Sequence, residues 1–230
     1  MLGILVQLAL SWLILWLFQK KNLRVLGFYP AQKRLAYFAL LFVITALFCA
    51  SGFFMKMLFA KQQWTLNPAL TVQLVWEGIW WNLKSVLFEE LIFRGAIFYV
   101  LLKRIGQGKA ILVSAIGFGI YHWFSFGILG NPAQMVIVFF VTGSMGLLLA
   151  YGYAKSLSLL IPIAIHFGWN YTQQAIFSSG PIGKQLFIPA IPHAAMNVSY
   201  FVFFSILLLP MISMLLINYW IIRNMEQVGE

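Results

Sequence analysis

Seven long apolar segments are the feature that most restricts the fold of this chain. They lie near residues 2–19, 36–58, 74–102, 110–128, 134–153, 158–177 and 198–222. A transmembrane helix needs roughly 20 apolar residues, at a rise of about 1.5 Å each, to cross a hydrocarbon core of about 30 Å. Turn-forming residues such as Asn67-Pro68 separate the segments. The pattern predicts an all-α, polytopic transmembrane helical bundle of about seven spans.

The composition favours the same class of protein. Of the 230 residues, 62% are hydrophobic and 9% are charged, which is too little polar surface for a soluble domain of this size. The single cysteine, Cys49, excludes a disulfide within the chain and a cysteine-rich zinc cluster. We therefore expect one integral membrane domain over residues 1–230. An eighth span is expected if residues 181–197 re-enter the membrane.

Positive charge is distributed as in a membrane protein. The net charge is +10, but the basic residues lie at the ends of apolar segments and form no single patch for nucleic acid. If the N-terminus is outside, the cytoplasmic loops hold most of them, namely Lys20, Lys21, Arg24, Lys33, Arg34, Lys103, Arg104, Lys109, Lys155 and Arg223. This asymmetry predicts an outside N-terminus and a cytoplasmic C-terminus, in the plasma (inner) membrane of a bacterium.

Two adjacent carboxylates and a guanidinium lie inside the third apolar segment, at Glu89, Glu90 and Arg94. Each charge costs about 2.5–3.5 kcal/mol at the centre of a membrane helix. Glu90 and Arg94 are four residues apart and share a helix face, so they can form an ion pair. Glu89 lies about 100° around the helix from Glu90. Glu89 is therefore the better candidate for a general base, and Glu90 for a structural partner.

Further polar side chains lie in later apolar segments, at His122 in the fourth and at His166 and Asn170 in the sixth. Counted from the cytoplasmic ends at about 1.5 Å per residue, Glu90 and His122 lie roughly 20 Å deep, His166 about 16 Å and Asn170 about 22 Å. Side chains that only join helices have no need to agree in depth. Since ionisable groups inside a membrane usually mark function, the agreement predicts a shared site.

Hydrolysis is the reaction that this set of groups fits. Glu89, aided by His122, can take a proton from water, while His166 and Asn170 can donate to the oxyanion of a tetrahedral intermediate. A serine route is less favoured, because Ser114 lies eight residues before His122 and outside any Gly-x-Ser-x-Gly sequence. No cofactor is predicted. A zinc-dependent mechanism stays an alternative, because histidine and glutamate are zinc ligands. The chain has no His-Glu-x-x-His sequence that would favour it.

Three short motifs occur in order: Glu89-Glu90 with Arg94, Phe118 with His122, and His166 with Asn170. They resemble the Glu-Glu-x-x-x-Arg, Phe-x-x-x-His and His-x-x-x-Asn motifs of the CAAX protease and bacteriocin-processing (CPBP) family, and all seven positions match. The resemblance covers about residues 75–175, the expected catalytic core. It implies a helical membrane fold with a central polar cavity, in which Glu89 and His122 activate water and His166 and Asn170 bind the oxyanion, without a metal.

The sequence thus predicts an intramembrane endopeptidase whose substrate is a peptide or the C-terminal segment of a protein. Its other predicted partner is the lipid bilayer, and no nucleic acid partner is expected. Two alternatives stay open. A membrane immunity or scaffold protein of the same fold would not need Glu89 for its action. A proton-coupled transporter would use the same buried groups as relays, but the absence of an inverted repeat gives it little support.

Overall fold

The protein is helical throughout most of its length. The structure, a computed structural model, describes residues 2–28, 32–191 and 196–226. These residues form eight α-helices: α1 (Leu2–Gln19), α2 (Gln32–Ala60), α3 (Val72–Arg94), α4 (Ala96–Ile105), α5 (Gln107–Ser125), α6 (Pro132–Ser156), α7 (Leu160–Tyr171) and α8 (Tyr200–Asn224). Short strands β1 (Trp64–Leu66) and β2 (Phe187–Pro189) pair in antiparallel fashion. The predicted all-α fold is confirmed.

Four of the described helices are long and apolar enough to cross a membrane. They are α1, α2, α6 and α8. Helix α7, with 12 residues, reaches only about 18 Å at 1.5 Å per residue, which is less than the thickness of a bilayer core. Each of the seven predicted segments nevertheless contains at least one helix. The predicted helical bundle is confirmed, while the number of seven membrane spans stays a prediction.

The third apolar segment, predicted as a span over residues 74–102, is not one continuous helix. It consists of α3 and α4, separated at Gly95. The backbone of Gly95 has ψ −143°, far from the helical value of about −42°, and a Cβ atom there would lie 2.1 Å from the Leu91 carbonyl oxygen. Hydropathy is continuous across residues 74–102 and gives no signal of this helix break. That the segment crosses the membrane once stays a prediction.

A re-entrant span over residues 181–197 is also not found in the part of this segment that the structure describes. Its regular element there is strand β2, in which Phe187 pairs with Leu66, Ile188 with Thr65 and Pro189 with Trp64. In an antiparallel pair, the backbone N–H and C=O groups of one strand bond to those of the other. Because the partner strand here is distant in the sequence, the local sequence pattern gave no signal for the pairing.

The chain divides into two compact units. The first comprises Met1–Phe38, Leu87–Ile163 and Tyr219–Glu230. Within it α5 packs closely on α6 through small residues: a Cβ atom at Gly146 would lie 3.2 Å from the Phe118 side chain, and one at Gly119 would lie 2.7 Å from the Phe139 ring. This close approach fixes the face of α5 that carries Phe118 and His122.

The second unit comprises Ala39–Val86 and Ala164–Asn218. A buried hydrogen bond of 3.0 Å runs from the Asn218 amide nitrogen to the Thr45 hydroxyl. The rings of Phe53 and Phe177 stack at 4.1 Å between centroids. These contacts join α2 to α8 and to the segment that follows α7.

We expect Gly168→Ala to destabilise the protein by about 1–3 kcal/mol, the usual cost of overpacking. A Cβ atom at Gly168 would lie 2.8 Å from the backbone oxygen of Phe42, so α7 would have to move away from α2. Unfolding of the purified variant in detergent measures the loss. Gly108→Ala is the matched control, because nothing lies within 4 Å of a Cβ atom there. An equal effect of both substitutions would contradict the close α2–α7 packing.

Candidate active site

The last two turns of α3 carry the acidic part of the site. Glu90 and Arg94 are both fully buried, and they are one helical turn apart. The guanidinium donates two hydrogen bonds to the carboxylate, from Nε to Oε2 at 2.6 Å and from Nη2 to Oε1 at 2.5 Å. This is the bidentate geometry that makes arginine–carboxylate pairs strong and directional. The ion pair predicted from the spacing is therefore present.

Aromatic rings enclose the guanidinium of this pair. The Arg94 Cζ atom lies 4.5 Å from the centroid of the Phe118 ring and 5.7 Å from that of Phe93. The two rings meet edge to face at 5.1 Å. A cation held over aromatic faces away from water gains roughly 2 kcal/mol. The phenylalanine of the second motif therefore has a contact of its own, with the arginine of the first.

Glu89 and His122 face each other beside this ion pair. The Glu89 Oε2 atom lies 3.9 Å from His122 Nε2, and the two side chains are 14% and 10% exposed respectively. This separation is longer than a direct hydrogen bond. On its other side the imidazole Nδ1 lies 2.7 Å from the Phe118 carbonyl oxygen. Because a carbonyl can only accept, Nδ1 carries the proton, and Nε2 is the nitrogen that faces Glu89.

An aromatic wall lies around the imidazole, and the motifs predicted only its Phe118, not Tyr121 or Phe126. The His122 ring contacts those of Phe118, Tyr121 and Phe126, with centroids 4.5, 5.4 and 5.1 Å away. Residues 118, 122 and 126 recur every four positions of the sequence, and Tyr121 is three positions from 118. This period places them along one side of a helix, and it could have identified the wall.

Ser114 is engaged in helix packing. Its hydroxyl donates a hydrogen bond of 2.9 Å to the carbonyl oxygen of Phe93, and the residue is buried. The bond links α5 to the end of α3, where Glu89 and Glu90 lie. A hydroxyl used in this way agrees with the expectation that Ser114 is not the nucleophile.

His166 and Asn170 lie on α7, in the second unit. His166 is buried and Asn170 is half-buried. Their spacing of four residues places both on one face of the helix. A π-helical turn over Thr172–Ile176 follows α7 directly, and such turns often occur beside functional residues. The structure thus brings Glu89, Glu90, Arg94 and His122 together within the first unit, and the roles of His166 and Asn170 stay predictions.

Glu89, Glu90 and His122 are the members of this cluster whose side chains can be metal ligands, and both oxygens of Glu90 accept hydrogen bonds from Arg94. Among the described residues, no group of three or more His, Cys, Asp or Glu side chains is arranged to hold a metal ion.

Comparison with known proteins finds a family that is similar to the segment carrying the motifs. Neither the curated proteins nor the solved structures give a match. Residues 71–172, however, match the model of the family described as type II CAAX prenyl endopeptidase Rce1-like. This segment includes all seven motif positions, from Glu89 to Asn170, and the four apolar helices agree with an integral membrane protein. The resemblance predicted from the motifs is confirmed over this segment: residues 71–172 are similar to the Rce1-like endopeptidase family.

Proposed function

We propose that this protein is an intramembrane endopeptidase that hydrolyses a peptide bond with water activated by Glu89. The observation that carries the proposal is the pair formed by Glu89 and His122, with 3.9 Å between Oε2 and Nε2. It lies beside a buried ion pair, in a segment that matches an endopeptidase family. The substrate is a peptide or the C-terminal segment of a protein.

The 3.9 Å separation suits a bridging water better than a direct contact. A water oxygen at about 2.8 Å from each atom would hydrogen-bond to both groups. Glu89 would take one proton from this water as the oxygen attacks the carbonyl carbon of the scissile bond. The protonated carboxyl would then give its proton to the leaving amine, so that one residue acts first as base and then as acid.

His122 orients the water in this mechanism. Its Nδ1 proton is held by the Phe118 carbonyl oxygen at 2.7 Å, and its ring is confined by the aromatic wall. The Nε2 lone pair is thereby directed at the position between His122 and Glu89. Such fixed orientation is effective because no reorganisation is needed as the reaction proceeds.

Glu90 and Arg94 support the mechanism without taking part in proton transfer. Their two hydrogen bonds occupy both carboxylate oxygens of Glu90. The carboxylate next to Glu89 in sequence is thereby neutralised by its own cation. Arg94 also contacts the Phe118 ring and so joins the last turn of α3 to α5. This contact helps to hold Glu89 on α3 opposite His122 on α5.

For the oxyanion of the tetrahedral intermediate we propose the side chains of His166 and Asn170, as the family resemblance implies. Removing one donor of an oxyanion site typically lowers kcat by about 100- to 1000-fold. Donors on one helix face four residues apart can act on the same oxygen, which supports the pairing of these two residues.

The proposal is tested with purified protein in lipid vesicles, a library of apolar peptides, and mass spectrometry of the products. We expect cleavage in the presence and in the absence of a chelator, because the proposed water is activated by carboxylate and imidazole. Cleavage that is lost with chelator and restored by zinc would replace this mechanism with a metal-dependent one. If no peptide is cleaved and the protein still has a cellular phenotype, the immunity or scaffold alternative is favoured.

Ser114→Ala provides a test of the serine route. We expect peptide cleavage to change by less than about threefold, since the hydroxyl serves a hydrogen bond to Phe93 worth about 1 kcal/mol of stability. A nucleophilic serine would instead account for a loss of several orders of magnitude. The measurement is kcat/KM of the variant beside the parent protein, with the fraction of folded protein determined for both.

A further inference from the structure

We propose that the second unit binds an anionic phospholipid, with the phosphate at Lys56 and part of one acyl chain in an adjoining cavity. The proposal is independent of peptide cleavage. The cavity has a volume of about 200 Å³, and all of its lining residues belong to the second unit. Its lining comes from α2, from α8 and from the segments around α7.

Most of the cavity wall is apolar, and eight of its twelve lining residues come from two helix faces. Helix α2 contributes Cys49, Gly52, Phe53 and Lys56, and helix α8 contributes Phe203, Ile206, Leu207 and Pro210. Both sets follow the i, i+3, i+4, i+7 spacing of a single helix face. The two helices approach each other closely, since a Cβ atom at Gly52 would lie 3.4 Å from the Pro210 side chain.

Lys56 places a cation at one end of this apolar surface. The residue is half-buried, and its Nζ atom lies 4.7 Å from the centroid of the Phe53 ring. Cys49 lies seven residues earlier on α2, about 10 Å away along the helix axis. The cavity thus has a charged end and an apolar end, separated by about two helical turns, as the binding of an amphiphile requires.

Acidic side chains are scarce in the second unit that carries this cation. Its sequence contains one acidic residue, Glu77, which accepts a hydrogen bond from Gln73 at 2.8 Å. None of the ion pairs found among the described residues includes Lys56. An ammonium group partly removed from water favours an anion beside it. A phosphate from outside the protein would supply the missing charge.

The size and position of the cavity select a membrane lipid as the occupant. A volume of 200 Å³ is below the roughly 300 Å³ of pockets that enclose a drug-sized ligand, so only part of a molecule is enclosed. Leu207, on the rim, is 48% exposed, and an exposed leucine on a membrane helix faces acyl chains. The rest of the lipid would therefore continue into the bilayer.

The test compares the binding of phosphatidylglycerol and phosphatidylcholine, with identical acyl chains, to the full-length protein in neutral detergent by native mass spectrometry. For the parent protein we expect tighter binding of phosphatidylglycerol. Lys56→Gln should lower that preference about fivefold, as removal of about 1 kcal/mol of headgroup attraction predicts. Lys56→Arg should retain it. Lys184→Gln, which removes an exposed lysine of the same unit outside the cavity, should also retain it.

A second variant keeps the proposal falsifiable if Lys56→Gln does not fold. Gln173→Glu adds a carboxylate to the cavity lining, where it would serve as the counterion of Lys56, and we expect a similar loss of preference. An unchanged preference in a folded Lys56→Gln or Gln173→Glu variant would overturn the proposal. So would a parent protein that does not distinguish the two lipids. Tighter binding of free oleate than of phosphatidylglycerol would overturn the assignment to a phospholipid.

Discussion

Replacing Glu89 with glutamine is expected to lower kcat for peptide cleavage by at least about 100-fold, the range for loss of a general base. Glutamine has nearly the shape of glutamate and can accept hydrogen bonds, but it cannot take a proton from water. The side chain is 14% exposed and lies 3.9 Å from His122, so little repacking is needed. The variant should therefore fold as the parent does.

Glu77→Gln is the matched control for this experiment. Glu77 lies on the same helix and within the same matched segment, but it is exposed and accepts a hydrogen bond from Gln73. We expect kcat to change by less than about twofold, as for a surface substitution away from special features. Retention of cleavage in Glu89→Gln, in lipid and over the whole peptide library, would refute the role of Glu89. Equal losses in both variants would point to a general effect of acidic residues on α3.

Replacing Arg94 with methionine is expected to destabilise the protein by about 3–5 kcal/mol, because the fully buried carboxylate of Glu90 then loses the guanidinium that donates to both of its oxygens. The loss includes two charge-assisted hydrogen bonds and the contacts with Phe118 and Phe93. The free energy of unfolding is measured in mixed detergent micelles with a denaturing detergent, at constant lipid content.

The double variant Glu90→Gln with Arg94→Met separates charge from packing. Because both charges are removed, no ion is left uncompensated, and we expect the double variant to be more stable than Arg94→Met alone. Replacement of both members of a buried ion pair is often close to neutral, while removal of one is not. A double variant that is less stable than Arg94→Met would contradict the assignment of Glu90 and Arg94 as a mutually compensating pair.

The sequence alone determined the helical class and the local geometry of the motifs. Apolar segments of nearly bilayer length leave helices as the simplest way to satisfy the backbone. Within a helix, a spacing of four residues fixes which side chains are neighbours. The ion pair of Glu90 with Arg94 and the closeness of Phe118 to His122 follow from such spacing, and the structure contains both.

Contacts between distant segments were decided by the tertiary structure. The ring of Phe118 over Arg94 depends on how α5 packs beside α3, and the pairing of β1 with β2 joins residues more than 100 positions apart. The break at Gly95 is a backbone conformation that leaves no room for a Cβ atom, and hydropathy does not register it. The cavity beside Lys56 needs the faces of α2 and α8 together. Periodicity identifies the face that a helix presents, but the partner of that face is set by packing among all of the helices.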